Sequence, residues 1–159
     1  MEIVVGSAKA MPGEVTYGSF EGVPLPTGGT DALPVIIASG KKDGPVLWIT
    51  GSIHGNEYSG MATIHRLLGP DAQDFPLDDL RGTVIMVPTL NPAGLRTENR
   101  SPYYSRGSDP NRMFPAPVRP RKKRNNNEDA PPTVLERVYE RLFERMEAHG
   151  DFLRSEERR

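Results

Sequence analysis

The stretch that decides the fold is Trp48-Ile-Thr-Gly-Ser-Ile-His-Gly-Asn-Glu-Tyr-Ser-Gly60. It overlaps an apolar run, Val46-Leu47-Trp48-Ile49, which predicts a short buried strand. Residues 57–68 then carry apolar side chains at helical spacing and predict an α-helix that ends before Gly69-Pro70. The stretch therefore predicts a turn from a strand into a helix. Ligands of open α/β folds bind beyond the carboxyl ends of such strands.

Two polar side chains, His54 and Glu57, lie at this predicted turn. An imidazole and a carboxylate three residues apart can converge on one cation, and zinc accepts both ligand types. A structural alternative stays open, in which His54 is a turn residue and Glu57 is a first-turn acid favoured by the helix dipole. The flanking glycines and the position after a strand strengthen the metal-site hypothesis.

The composition limits the class of protein. The 159 residues are enough for one domain with its own core, and 16 glycines and 16 prolines predict many loops. A net charge of −1 favours neither nucleic acid nor a membrane surface. Because there is no cysteine, a metal site would use His and carboxylate ligands. No signal-peptide pattern and no apolar run of ~20 residues is present, so we expect a cytoplasmic protein without membrane contact.

Further strands are predicted on both sides of this stretch. Short apolar or alternating patterns at residues 2–5, 15–17 and 33–38 predict an antiparallel N-terminal part of a mixed sheet. Residues 40–44 predict a polar turn of hairpin type that leads into the strand at 46–50. The continuous apolar run at 83–88 predicts a central strand buried on both faces. Strand, helix and strand over residues 46–88 form a predicted βαβ unit with a right-handed crossover.

The second half of the chain begins with a long segment without periodicity, residues 95–132. Segments of this length without their own structure are usually functional or disordered, and we predict a disordered loop at 116–132. Thr133 and Glu136 then form a capping-box pattern at the start of an amphipathic helix that runs to 148. The predicted organisation is one partial domain over residues 1–153 and a polar tail over 154–159.

Two motifs, His54-Gly-Asn-Glu57 and Asp109-Pro-Asn-Arg-Met-Phe-Pro115, carry a resemblance to a known family. Between them lie the strand end Val87-Pro-Thr-Leu-Asn-Pro-Ala-Gly94 and an arginine-bearing loop. In this order, with a spacing of 54 residues from Glu57 to Asn111, the chain resembles the succinylglutamate desuccinylase/aspartoacylase branch of the zinc carboxypeptidase superfamily. The resemblance covers residues 34–115 and, more loosely, the helix at 133–148. It implies an α/β fold of the zinc-carboxypeptidase type, a mixed β-sheet with flanking helices, truncated at its C-terminal side.

The resemblance also implies site roles. His54 and Glu57 match the family's first two zinc ligands. Asn111 and Arg112 match its pair that binds a substrate carboxylate, and Arg100 matches the arginine that polarises the scissile carbonyl. The implied activity is hydrolysis of an amide or ester bond in a small carboxylate-bearing N-acyl substrate by a zinc-bound water.

The chemistry agrees with these roles. Zinc lowers the pKa of its bound water to about 7, and a fixed guanidinium stabilises negative charge as it develops. A second guanidinium can grip a carboxylate through paired hydrogen bonds. Arg96 is the weaker alternative to Arg100, and a solvated basic loop is the better interpretation of Arg96.

The chain departs from the family pattern after the helix at 133–148. The family places its third zinc ligand, a histidine, at the end of the next strand, and its catalytic glutamate further downstream. Here Asp151-Phe-Leu153 begins such a strand, but no histidine follows His149. His149 is a makeshift candidate for the third ligand, whereas His65 is expected to face away from the strand end. Since general acid–base catalysis contributes about 10²–10⁴-fold, we predict weak or no hydrolysis by this chain alone.

Absent later strands would leave an exposed sheet edge, which predicts self-association. Two other functions stay open. One is a non-catalytic fragment that binds carboxylates or metal weakly. The other is nucleic-acid binding through Arg119-Pro-Arg-Lys-Lys-Arg124, which is less favoured because acidic residues follow and no aromatic residues interleave for base stacking.

Overall fold

A computed structural model describes residues 1–68, 75–105, 107–115, 131–150 and 152–155, the last four through their backbone alone. The elements in chain order are β1 (Ile3–Val5), β2 (Ala8–Ala10), β3 (Glu14–Pro24), β4 (Thr30–Ser39), β5 (Lys42–Thr50), α1 (Ser59–Leu68), β6 (Arg81–Val87), α2 (Pro92–Arg96), α3 (Val134–His149) and β7 (Phe152–Ser155). Two 3₁₀ helices, Tyr103–Ser105 and Pro110–Arg112, lie between α2 and α3.

Five strands form one mixed sheet in the order β3-β4-β6-β5-β7. β4 is antiparallel to both β3 and β6, whereas β5 runs parallel to both β6 and β7. β1 and β2 form a separate antiparallel pair. The predicted α/β fold with a mixed sheet is confirmed, and so is its antiparallel N-terminal part.

The predicted βαβ unit is present as β5, α1 and β6, and β6 is the middle strand of the sheet. Alternate side chains of β6 enter two different cores, Ile85 and Val87 on one face and Met86 on the other. All three are at most 2% exposed, as expected for a strand that is covered on both faces.

The two helices with an apolar face cover opposite faces of this sheet. Ile64 and Leu68 of α1 pack on the face that includes Met86. The other face holds the buried side chains of α3, which are Leu135, Val138, Tyr139, Leu142 and Met146. The capping box is confirmed, since Glu136 N–H donates to the Thr133 hydroxyl and Thr133 N–H donates to the Glu136 carboxylate.

The expected hairpin between the strands at 33–38 and 46–50 is wrong. β4 and β5 are consecutive in the chain but not adjacent in the sheet, because β6 lies between them and pairs with both. The Gly40 amide accordingly donates to Gly82 O of the β6 strand at 2.8 Å. A turn-type sequence indicates that the chain reverses its direction. It does not indicate which strand pairs with the strand before the turn.

Three boundaries also differ from the sequence-based expectation. α1 begins at Ser59, so Glu57 precedes the helix and does not lie in its first turn. The segment after β6 is partly ordered by α2 and the two 3₁₀ helices. β7 includes Arg154 and Ser155, which the expectation assigned to the tail, because parallel pairing with β5 uses the backbone and needs no apolar side chain.

Most of the predicted disordered loop, residues 116–130, lies outside the described residues, and so do residues 156–159 of the predicted tail. In the part of the chain that the structure describes, no helix has both the length and the apolar character of a membrane span.

Candidate functional site

His54 and Glu57 face each other in the loop between β5 and α1. The imidazole of His54 is buried, and its Nδ1 lies 3.0 Å from Glu57 Oε1. On the other side of the ring, Nε2 lies 2.9 Å from Asp109 Oδ1. In the tautomer that donates Nε2–H to Asp109, the Nδ1 lone pair points towards Glu57. A nitrogen and a carboxylate oxygen then present lone pairs to the same position.

This donor pair fits a divalent cation such as zinc. Two ligands of a tetrahedral zinc ion stand roughly 3.4 Å apart, slightly more than the 3.0 Å between Nδ1 and Oε1. A carboxylate behind the imidazole, as Asp109 is here, orients metal-ligating histidines and fixes their tautomer. Within the described ranges no group of three His, Asp or Glu side chains could hold a metal. The site therefore supplies two protein ligands from the residues described.

Asp109 belongs to the second sequence motif, but sequence analysis assigned it no role. Its Oδ1 also accepts the Asn111 N–H at 3.0 Å and so caps the second 3₁₀ helix. Burial raises the pKa of this carboxyl. The hydrogen bonds from His54, the Asn111 amide and Arg100 outweigh burial and hold the pKa below its usual value. The signal that could have identified Asp109 is its position in the sequence, next to the proposed substrate-binding pair Asn111 and Arg112.

Arg100 joins the two carboxylates of the site. Its Nη1 lies 3.3 Å from Glu57 Oε1, and its Nη2 lies 3.3 Å from Asp109 Oδ2. The side chain is 52% exposed, so a ligand in solvent can reach the guanidinium. The structure thus brings Arg100 to the predicted metal-ligand pair.

Arg96, the alternative to Arg100, is engaged elsewhere. Its guanidinium pairs with Asp31, whose side chain is completely buried at the start of β4. The Tyr104 hydroxyl donates to the other oxygen of Asp31 at 2.6 Å. Burial, the bond to Asp31 and its charge raise the pKa of Tyr104 far above the usual value, so the hydroxyl stays a donor. Arg96 and Tyr104 therefore anchor the segment on either side of Arg100.

Asn111 and Arg112 lie in the 3₁₀ helix that Asp109 caps. Asn111 is half-buried and Arg112 is exposed. Because Asp109 contacts both His54 and the Asn111 amide, the two sequence motifs meet in space although 55 residues separate His54 from Asp109.

Asn91 connects the loops of the site, a role that sequence analysis missed. Its side chain is buried, its Oδ1 accepts from Gly94 N–H at 2.8 Å, and its Nδ2 donates to Ile53 O at 3.2 Å and Arg100 O at 3.0 Å. The Arg100 carbonyl also accepts from Gly55 N–H at 3.3 Å. Residue 55 must be glycine for its backbone to pack this close to the backbone of Gly94, because a Cβ at residue 55 would lie 2.0 Å from Gly94.

The two other histidines lie away from the ligand pair. His65, which was expected to face away from the strand end, is exposed on α1. His149 is exposed at the C-terminal end of α3, with Nε2 3.3 Å from Arg145 Nη1. It lines a cavity of about 290 Å³ with residues from the starts of β5 and β6, such as Lys42 and Gly82. His54 follows the other end of β5, so the hypothesis that His149 completes the metal site is wrong for this chain.

The basic run 119–124, on which the nucleic-acid hypothesis depends, lies outside the described residues.

Comparison with known proteins shows the family and the fold of the chain. The family model described as "Succinylglutamate desuccinylase/Aspartoacylase catalytic domain" matches residues 43–153. A curated relative, the N-alpha-acetyl-L-2,4-diaminobutyric acid deacetylase of Halomonas elongata, is 33% identical over 88 residues. These residues are 55% of this chain and 24% of the relative, so the chain spans about a quarter of that protein.

Solved structures show the same fold. The aspartoacylase family protein from Mesorhizobium loti superposes with a TM-score of 0.65 at 24% identity, covering 98% of this chain and 42% of the other. The succinylglutamate desuccinylase/aspartoacylase from Rhodobacter sphaeroides gives a TM-score of 0.65 at 23% identity, covering 89% of this chain and 39% of the other. At these sequence identities, the similarity to the solved structures shows the fold alone.

Proposed function

Because the chain belongs to the succinylglutamate desuccinylase/aspartoacylase family, we propose that it is a zinc-dependent hydrolase of small carboxylate-bearing N-acyl substrates. The family relation supports a deacylase-type enzyme. The observation that carries the zinc proposal is the facing pair of His54 Nδ1 and Glu57 Oε1, 3.0 Å apart beyond the end of β5, with Asp109 behind the imidazole. The bond cleaved is an amide or an ester.

Each residue of the site has a proposed task. His54 and Glu57 hold the metal, and Asp109 keeps the imidazole in the required tautomer. A zinc ion held there supplies Lewis acidity, which activates water and polarises a carbonyl group. Arg100 donates hydrogen bonds to the carbonyl oxygen of the substrate and stabilises the negative charge that develops on it.

Asn111 and Arg112 bind the carboxylate of the substrate. A guanidinium can bind both carboxylate oxygens at once, which a lysine at the same position could not do. The Halomonas elongata relative is named as a deacetylase of an N-acetylated diamino acid, which supports an N-acyl amino acid as the substrate class.

We propose that hydrolysis by this chain alone is weak or absent. His54 and Arg100 engage the carboxylates of Glu57 and Asp109, so neither carboxylate is assigned as the general base. Without such a base the rate would be lower by about 10²–10⁴-fold.

The first experiment is zinc titration of the purified chain beside His54→Ala, with His65→Ala as a matched control. We expect binding of about one zinc per chain that is lost in His54→Ala and kept in His65→Ala, since His65 is an exposed residue of α1. Equal zinc content in wild type and His54→Ala would refute the metal site. Release of acetate from N-acetyl amino acids, measured with and without zinc, then tests the reaction itself.

We also propose self-association through the sheet edge at β7. Among the strands that the structure describes, β7 lies at one edge of the sheet, beside β5. This position supports the proposal, because an edge strand is a template for another chain. Light scattering over a range of protein concentrations tests the idea. A monomer at every concentration would contradict it.

A further inference from the structure

The loop that carries both proposed metal ligands is closed by a buried serine. Ser52 is 1% exposed, and its hydroxyl donates to the backbone carbonyl of Glu57 at 2.7 Å. Its φ is +43°, in the left-handed region that side-chain-bearing residues rarely adopt. Such a conformation persists only where the surroundings hold it, and it is common at functional sites.

The backbone of Ser52 is fixed on its other side by the segment that follows β6. Its carbonyl accepts from the Thr89 hydroxyl at 3.2 Å, and the oxygen of that hydroxyl accepts from Asn91 N–H at 3.0 Å. Gly51 O accepts from Leu90 N–H at 3.1 Å. Gly51 N–H also donates at 3.0 Å to the carbonyl of Val87, the last residue of β6. The start of the ligand-bearing loop is therefore attached to the central strand and to the segment that follows it.

The hydroxyl of Ser52 connects this fixed backbone to Glu57 through a hydrogen bond. Glu57 N–H donates to His54 O at 3.1 Å, so the backbone of Glu57 is held from both sides, by His54 and by Ser52. The Glu57 side chain is 44% exposed, whereas that of His54 is 1% exposed. Glu57 is the ligand with less packing around it, so its position depends more on these two hydrogen bonds.

We propose that Ser52 is a positioning residue for metal binding, whose hydroxyl holds Glu57 beside His54 Nδ1. The claim that Ser52 improves metal binding rests on the proposed function. The claim that Ser52 holds the loop closed does not, because it concerns the metal-free chain. Two measurements test the two claims separately.

The first measurement is hydrogen exchange of the Glu57 amide in the metal-free chain, with amides of β6 as the internal reference. The variants are Ser52→Ala, which removes the hydroxyl, and Ser52→Gly, which removes the hydroxyl and also suits the positive φ. Ser39→Ala is the matched control, because Ser39 is a buried serine whose Oγ is 3.4 Å from Thr83 Oγ1 in the sheet. We expect exchange at Glu57 to rise about tenfold relative to β6 in both Ser52 variants and to stay unchanged in the control.

The second measurement is the zinc dissociation constant, determined by competition with a chromophoric chelator on the same proteins. Loss of residues that orient metal ligands typically weakens affinity by about 10–100-fold. We expect a loss in this range for both Ser52→Ala and Ser52→Gly, and none for Ser39→Ala. If backbone strain alone mattered, Ser52→Gly would bind zinc as well as wild type, and the proposed role of the hydroxyl would be wrong.

The outcomes are distinct. Faster Glu57 exchange with weaker zinc binding supports the inference. Unchanged exchange overturns it, whatever the affinity. Faster exchange with unchanged affinity overturns the metal-positioning role. If wild type binds no zinc and Glu57 exchange still rises, the proposed function fails and Ser52 keeps only the role of closing the loop.

Discussion

Two loops of the site are held in different ways. The ligand loop (residues 51–57) accepts neutral hydrogen bonds from Thr89, Leu90 and Asn91, which follow the central strand β6. The side chains of the arginine loop (residues 96–105) make ion pairs, from Arg96 to Asp31 and from Arg100 to Glu57 and Asp109, and both arginines are more than half exposed. Asn91 is the main connection between the loops. The loop that carries the proposed metal ligands is therefore held by neutral hydrogen bonds, whereas the arginine side chains of the other loop make ion pairs that water can reach.

The largest effect is expected from Asn91→Ala, which breaks the connection between the two loops. It removes three hydrogen bonds and leaves the buried Gly94 N–H and the half-buried Ile53 O without this partner, at a cost of about 2–4 kcal/mol in the free energy of unfolding. Zinc affinity should fall by about tenfold, because Ile53 precedes His54. Urea denaturation and zinc titration measure the two effects.

Asn99→Ala is the matched control for Asn91→Ala. Asn99 lies in the arginine loop, is exposed and donates to Thr97 O at 2.9 Å. Its loss should change neither stability nor zinc affinity measurably. Equal behaviour of the two variants would contradict the special role of Asn91.

A smaller effect is expected from Asp31→Asn, which loosens the arginine loop alone. Asparagine can still accept from Tyr104, but it loses the charge that pairs with Arg96. Because Arg96 is 58% exposed and can be hydrated, we expect a loss of about 1–2 kcal/mol in the free energy of unfolding. Zinc affinity should remain within a factor of about two. A zinc affinity that falls with Asp31→Asn as much as with Asn91→Ala would show that the two loops are not independent.

The smallest effect on stability is expected from Arg100→Gln. Its ion pairs are exposed, and such pairs contribute about 0–1 kcal/mol. Zinc affinity should instead rise a few-fold, because the change removes a positive charge next to Glu57 and releases that carboxylate for the metal. Chelator competition measures the zinc affinity. Weaker zinc binding in Arg100→Gln than in wild type would contradict the prediction.

The parts of the fold that could be predicted from the sequence are those with local signals. Thr133 and Glu136 marked the start of α3 because a capping box involves only four neighbouring residues. The run at 83–88 identified the central strand because burial on both faces requires a continuous apolar sequence. The place of β6 between β4 and β5 could not be predicted, because strand order depends on pairing between distant residues.

The site followed the same rule. His54 and Glu57 are three residues apart, so one turn brings them together, and the motif with Asn111 and Arg112 was found through a family resemblance. Asp109 and Asn91 were given no role because a hydrogen bond across 55 residues, or from one side chain to two separate carbonyls, leaves no periodic trace in the sequence.

The insertion of β6 between two strands that are consecutive in the chain also affects the order of assembly during synthesis. When Thr50, the last residue of β5, has been made, Val87 at the end of β6 is still 37 residues away. A ribosome adding about 5–20 residues per second needs several seconds for that length. During this interval β4 and β5 have been made, but the strand that lies between them in the sheet has not. Any pairing between β4 and β5 must open before the sheet can be completed.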